Sequence, residues 1–194
     1  MNNVNRYKWE EGQRLEKEYH DLQNYELLSG YEHHRKFYAG YFEYLGIDKN
    51  VNGRKILEIG PANFPLLGYC SLTEKCSVLE PMESEFLDFI CELKGVNIIY
   101  ELAEEIEFPK VDEIWLCNVL QHVINPDVII GKCKEAADIV RFFEPIDTGI
   151  DLMHHWTLTL DYFKEKFGEA TLYPENSEEP DFHKWRCAYG VWTK

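Results

Sequence analysis

The chain has 194 residues, 45% of them hydrophobic and 28% charged, with a formal net charge of −15 at pH 7. That length suits one domain with a sizeable core and leaves little room for a second. No apolar run reaches the ~18 residues of a membrane span, and strong negative charge without a Lys/Arg cluster disfavours nucleic acid as a partner.

The N-terminus is polar through Arg6 with no apolar stretch behind it, unlike a secretory signal. Leu15, Tyr19 and Leu22 recur at helical spacing. Phe37, Tyr38, Tyr41, Phe42 and Leu45 do so again, and Gly46 stands where a left-handed stop belongs. Two helices are expected before the first strand. From residue 53 short apolar strands alternate with helices. The expected strands are Lys55 to Ile59, Ser77 to Glu80, Val96 to Tyr100, Glu113 to Cys117 and Ile139 to Phe143. A helix is expected through Leu66 and Leu67, and another from Ser84 to Leu93, closed by Gly95. A third starts at Asn125-Pro126-Asp127, where a capping Asn precedes a first-turn Pro and an acid. A fourth runs from Thr159 to Phe167 with Gly168 as its stop. Glu169 to Tyr173 and Arg186 to Trp192 read as closing strands around an acidic loop at 175–181, with no helix between them. They are expected to form an antiparallel hairpin at a sheet edge. This alternation implies an α/β protein: a mostly parallel sheet with helices on both faces and ligands beyond the carboxyl ends of the strands. The cysteines Cys70, Cys76, Cys91, Cys117, Cys133 and Cys187 form no CxxC pair, and several have apolar neighbours. They read as reduced core residues of a cytoplasmic protein rather than a zinc site, and no metal is expected.

The most informative segment is Ile56-Leu57-Glu58-Ile59-Gly60-Pro61-Ala62-Asn63-Phe64-Pro65. An acid on a strand, one apolar residue and a glycine turn let the chain approach a ligand closely, and N–H groups beyond the turn can hold a carboxylate. About 20 residues after Gly60, Glu80 ends the second strand, where an acid can accept both hydroxyls of a ribose. These features, with Pro81-Met82 and the segment Asn118-Val119-Leu120-Gln121-His122-Val123, resemble the motifs of class I S-adenosylmethionine-dependent methyltransferases. The resemblance covers residues 53 to 192 in strand order. It implies a three-layer α/β/α Rossmann-like fold, with a seven-stranded, mostly parallel sheet and an antiparallel last strand. It also implies S-adenosyl-L-methionine as cofactor, held by Glu58, Gly60, Pro61, Ala62, Glu80, Pro81, Met82, Leu102, Ala103, Glu104, Asn118 and Val119. Glu58 is expected near the donor's amino group and Met82 against the adenine. Two departures stand out. Ala62 and Phe64 replace motif glycines, and Phe64 is expected to cover the turn. Leu102 stands where the family often has Asp, so a carbonyl near Ala103, or Glu104, is expected to meet the adenine amino group instead.

Residues 1–52, with Trp9, Gln13, Glu16 and Tyr19, resemble a helical lid on the methyltransferase domain at residues 53–194. The loop Glu144-Pro145-Ile146-Asp147 and the run Met153-His154-His155-Trp156-Thr157 are expected to border the acceptor. His155, His154 and His122 are the candidate catalytic bases, because imidazole titrates near neutral pH. The implied acceptor is a small molecule or saccharide. Two other readings remain open at this point. One is a non-catalytic binding or regulatory subunit, consistent with the lost glycines. The other is a nicotinamide-dependent oxidoreductase, which would need Gly-x-Gly-x-x-Gly where Gly60, Ala62 and Pro65 stand.

Overall fold

The strand–helix alternation folds into one seven-stranded sheet of order β3-β2-β1-β4-β5-β7-β6 in the computed structural model, which describes residues 4–23, 27–71, 73–173 and 185–194. The strands are β1 (Ile56–Ile59), β2 (Ser77–Leu79), β3 (Asn97–Ile99), β4 (Val111–Cys117), β5 (Ala137–Pro145), β6 (Thr171–Tyr173) and β7 (Cys187–Thr193). The first five are parallel, whereas β7 runs antiparallel between β5 and β6. The closing hairpin therefore sits at the sheet edge as expected, with β7 inside and β6 outermost. β5 is longer than its apolar run, because β4 and β7 pair with it from Ala137 to Pro145 and carry Asp138 and Arg141 along.

The helices are α1 (Arg6–Gln23), α2 (Leu27–Tyr44), α3 (Glu85–Lys94), α4 (Pro126–Ala136) and α5 (Leu160–Phe167). Their ends follow local chemistry. Ser84, Asn125 and Thr159 accept N–H bonds as N-caps, and Gly95 closes α3 at φ 67°. The expected helix through Leu66 and Leu67 is only a single 3-10 turn, Leu66–Tyr69. Its first N–H groups are taken by Glu58, and the chain leaves it extended at Cys70.

Alternate strand residues feed two cores, one on each face of the sheet. Leu57, Ile114, Leu116 and Phe142 pack under α4 and α5 through Ile129, Cys133, Phe163 and Phe167. Ile56, Val78, Trp115 and Phe143 pack under α2 and α3 through Tyr41, Leu45, Leu87 and Cys91. α2 is thus part of the main core, leaving α1 as the element that lies apart from both. Five of the six cysteines are buried, Cys117 is half-buried, and all carry free thiols. No described helix is long and apolar enough to cross a membrane. The side chains of Leu22 and Phe37 and the loop at 175–181 lie outside the described residues.

Candidate active site

The carboxyl ends of β1, β2 and β4 open onto a cleft of about 500 Å3, counting its mouth. Gly60 has φ 67°, and its N–H donates to Leu79 O at 2.9 Å. A Cβ on Gly60 would lie 2.2 Å from Val119 Cγ2, so the turns after β1 and β4 touch only because Gly60 has no side chain. Ala62 also sits in the left-handed region, at φ 51°. A methyl group there costs roughly 1 kcal/mol and leaves the cleft open. The N–H of Ala62 donates to Glu80 Oε2 at 2.9 Å and that of Met82 to Glu80 Oε1 at 3.0 Å. These two bonds fix a buried carboxylate in the cleft wall.

Gly60, Ala62, Glu80, Pro81, Met82, Leu102, Ala103, Glu104, Asn118 and Val119 all line this cleft; Glu58 and Pro61 do not. Both oxygens of Glu58 accept N–H bonds from Leu66 (2.7 Å) and Leu67 (2.9 Å), which caps the 3-10 turn. Burial pushes its carboxyl up to about 7 against those bonds. Phe64 is buried and stacks on His34 at 4.6 Å rather than covering the turn. The groups expected near the adenine amino group already have partners. Glu104 Oε1 accepts from Ile124 N and Asn125 N, and Ala103 O accepts from Lys132 Nζ at 3.1 Å.

The turn after β4 hangs from a residue first read as acceptor-side. Glu144, fully buried at the end of β5, accepts from Val119 N and Leu120 N, each at 3.0 Å. Its burial pushes the carboxyl up to about 8. The periodicity of β5 does not reveal this role, because the bond spans 25 residues of sequence.

α1 crosses the mouth of the cleft and turns three of the four residues named for a lid, all but Tyr19, toward it. Tyr19 is exposed, whereas Trp9 and Gly12 are buried, and Trp9, Gln13 and Glu16 line the cleft. Trp9 Nε1 donates to His122 O at 2.9 Å. Ile59, Leu79 and Val123, none of them among the expected cofactor contacts, complete the apolar wall.

The three histidines part company. His122 lines the cleft. Its Nδ1 lies 3.0 Å from Met153 O and 3.4 Å from Glu16 Oε2, and its Nε2 lies 3.1 Å from Gln121 Nε2. His154, 5.0 Å from His122 between ring centres, faces a second, open pocket with Asp147, Thr148, Ile150 and Trp185, its Nδ1 on Asp151 Oδ2 at 2.9 Å. His155 is 8% exposed beneath Gly12, outside both pockets, and burial lowers its pKa. Trp156 lines neither pocket; its Nε1 donates to Val123 O at 2.8 Å.

The sheet order places β7 antiparallel where a dinucleotide-binding sheet continues in parallel. In sequence the chain matches no family model and no curated protein. In structure it resembles the 1,6-didemethyltoxoflavin-N1-methyltransferase of Burkholderia thailandensis, solved with S-adenosylhomocysteine, with a TM-score of 0.60 at 12% identity. That likeness covers 94% of this chain and 86% of that one. The fold is that of a class I methyltransferase. The StiE O-MT region shares this methyltransferase fold, with a TM-score of 0.59 at 10% identity over 82% of this chain and 74% of that one. The [4+2]-cyclase SpnF shares it too, at 0.55 and 13% identity over 72% of this chain; the chain spans 58% of SpnF's length.

Proposed function

We propose that the protein is an S-adenosylmethionine-dependent methyltransferase acting on a small-molecule or saccharide acceptor. The observation that carries this reading is the charge of the cleft. Glu16, Glu80 and Glu104 line it, with no lysine or arginine among its described lining residues. Such a cleft favours a donor bearing a sulfonium and an ammonium group and repels a dinucleotide pyrophosphate. Glu80 is held by Ala62 and Met82 to accept the ribose hydroxyls, Met82 and Leu102 flank the adenine, and Asn118 and Val119 border the methionyl chain. When bound, the donor supplies a methyl group on positive sulfur for in-line displacement. The residues of the chain align the acceptor, exclude water and take up its proton.

His122 is the base that fits this site best. Its Nδ1 faces two acceptors, Met153 O and Glu16, and so carries the hydrogen, leaving the Nε2 lone pair for a proton. In the resting chain the amide of Gln121 covers that lone pair while also donating to Asn118 Oδ1 at 3.1 Å, so an incoming hydroxyl or amine takes Gln121's place. His154 stands on the acceptor's path and His155 supports the loop. Calorimetry with S-adenosylhomocysteine tests the donor site. Wild type should bind, NADH should not, and Glu80→Ala should lose about 1–3 kcal/mol of affinity, the scale of hydrogen bonds to a charged group. Unchanged affinity in folded Glu80→Ala refutes the assignment. With a panel of phenolic and saccharide acceptors, His122→Ala should lose roughly 100-fold in turnover at unchanged donor affinity.

A further inference from the structure

The cleft contains a carboxylate that comes from outside the methyltransferase sheet. Glu16 belongs to α1, and its side chain is 14% exposed beside that of His122 at 11%. Glu16 Oε2 lies 3.4 Å from His122 Nδ1 and accepts from Gln13 Nε2 one turn earlier, at 3.2 Å. The approach depends on how α1 is seated. Trp9 pins the helix to the carbonyl of His122 itself. Gly12, the next residue on that face, sits so close to the loop after β5 that a Cβ would lie 2.4 Å from Leu152 O. No larger residue fits there without lifting the helix, and lifting it withdraws Glu16.

We propose that Glu16 is the positioning carboxylate of His122, and that seating α1 assembles this pair. The proposal rests on the methyltransferase reading and extends it to the source of the base's charge partner. A bound donor would supply its methyl group and leave as the neutral thioether, and His122 Nε2 would take up the acceptor's proton. The imidazolium so formed carries a hydrogen on each nitrogen. Its Nδ1–H points at Met153 O and at Glu16, which supplies the negative charge that stabilises it. The other groups around His122 cannot serve in this way. His154 and His155, from the loop after β5, can carry only positive charge, which opposes the imidazolium. Asp151 is engaged by His154 and by two backbone N–H groups. Gln121 and Asn118, on the loop of His122, are neutral, and Glu80 is bound by the turns after β1 and β2. His122 has its charge partner only when α1 covers the cleft, which couples proton uptake to the exclusion of water.

The test needs no acceptor. In 15N-histidine-labelled protein saturated with S-adenosylhomocysteine, NMR reports the tautomer and titration midpoint of His122, assigned by comparison with His122→Ala. Wild type should show the Nδ1–H tautomer when neutral. Glu16→Gln keeps the size and the contact with Gln13 but should move the midpoint down by about one pH unit or more, the effect of removing a charge at this distance. Gly12→Val, which lifts α1 and leaves the Glu16 carboxylate intact, should lower the midpoint in the same direction. A midpoint that stays put in Glu16→Gln overturns the proposal. So does a Gly12→Val protein that titrates like wild type. Failure of wild type to bind S-adenosylhomocysteine would instead overturn the donor reading, and the same titration in the free protein would still decide the role of Glu16.

Discussion

Both edges of the sheet bury glutamates, but they partner them differently. At the amino edge Glu113 is 3% exposed and bonds to Arg54 at 2.6 Å, Arg141 at 2.7 Å and Trp115 Nε1 at 3.1 Å. Although burial raises its carboxyl, the arginines outweigh that and hold the pKa below the ordinary value. At the carboxyl edge the buried Glu58, Glu80 and Glu144 and the half-buried Glu104 accept bonds from loop N–H groups instead. The first arrangement is closed and serves stability. The second shapes turns without adding cationic side chains to the cleft wall, which keeps that edge attractive to a cationic ligand.

The largest effect should come from breaking the closed edge. Glu113→Ala leaves the half-buried Arg141 with only Leu45 O, which should cost about 3 kcal/mol in urea unfolding. Affinity for S-adenosylhomocysteine should stay near wild type, because Glu113 lies at the other end of the strands. A loss below ~1 kcal/mol would show that the cluster is solvated enough to do without its acid.

The open edge should appear as a pH slope. Glu58 and Glu144 have folded pKa values raised to about 7 and about 8, against an unfolded value of about 4.3. Each prefers the protonated form when folded. Its contribution to stability is therefore full below pH ~4.3 and is lost as pH rises through the folded value. His155 and Glu113 are among the groups that oppose this on the acid side, with Asp151 and Glu11. His155, lowered by burial, and Glu113, lowered by its arginines, contribute stability above their unfolded pKa values and lose it as pH falls. Between pH 5.5 and 8.5 the carboxyl effect should prevail, with a loss of about 2–4 kcal/mol. Glu144→Gln keeps an oxygen for Val119 and Leu120 and should remove roughly half of that slope. A variant with the wild-type slope would mean that Glu144 is ionised throughout.

The turns after β1 and β2 were more legible in the sequence than the loops after β4 and β5, for a physical reason. Gly60 and Glu80 are fixed by rules that act over a few residues: a turn that must lie close to Val119, and an acid at the end of a strand. Gly95, Asn125 and Gly168 are likewise local signals, and they placed their helix ends correctly. Glu144 could not be placed in this way, since its partners lie on the preceding crossover. The covered face of α1 was legible only in part: apolar periodicity selected Leu15 and Tyr19, whereas the lid resemblance named Trp9, Gln13 and Glu16, which line the cleft. His154 and His155 are adjacent in sequence, yet one faces a pocket and the other lies buried beneath a helix.

The smallest effect concerns what holds α1 to the open edge. Two kinds of attachment are present. Arg6 reaches Glu105 at 2.5 Å and Lys17 reaches Glu83 O at 2.6 Å, both exposed to solvent. Trp9, 8% exposed, donates to His122 O and fills the mouth of the cleft. Exposed ion pairs contribute little, because water and salt screen them and two long side chains must be ordered to form them. A buried N–H bond is different, since its loss strands a carbonyl beneath the helix. Trp9→Phe keeps most of the ring and should weaken S-adenosylhomocysteine binding by about five- to tenfold. Arg6→Ala should change it by less than about twofold, and the change should vanish at high salt. The reverse order would mean that α1 is held by charge. Its closure would then vary with ionic strength, and the packing of Trp9 and Gly12 would be a consequence of seating rather than its cause.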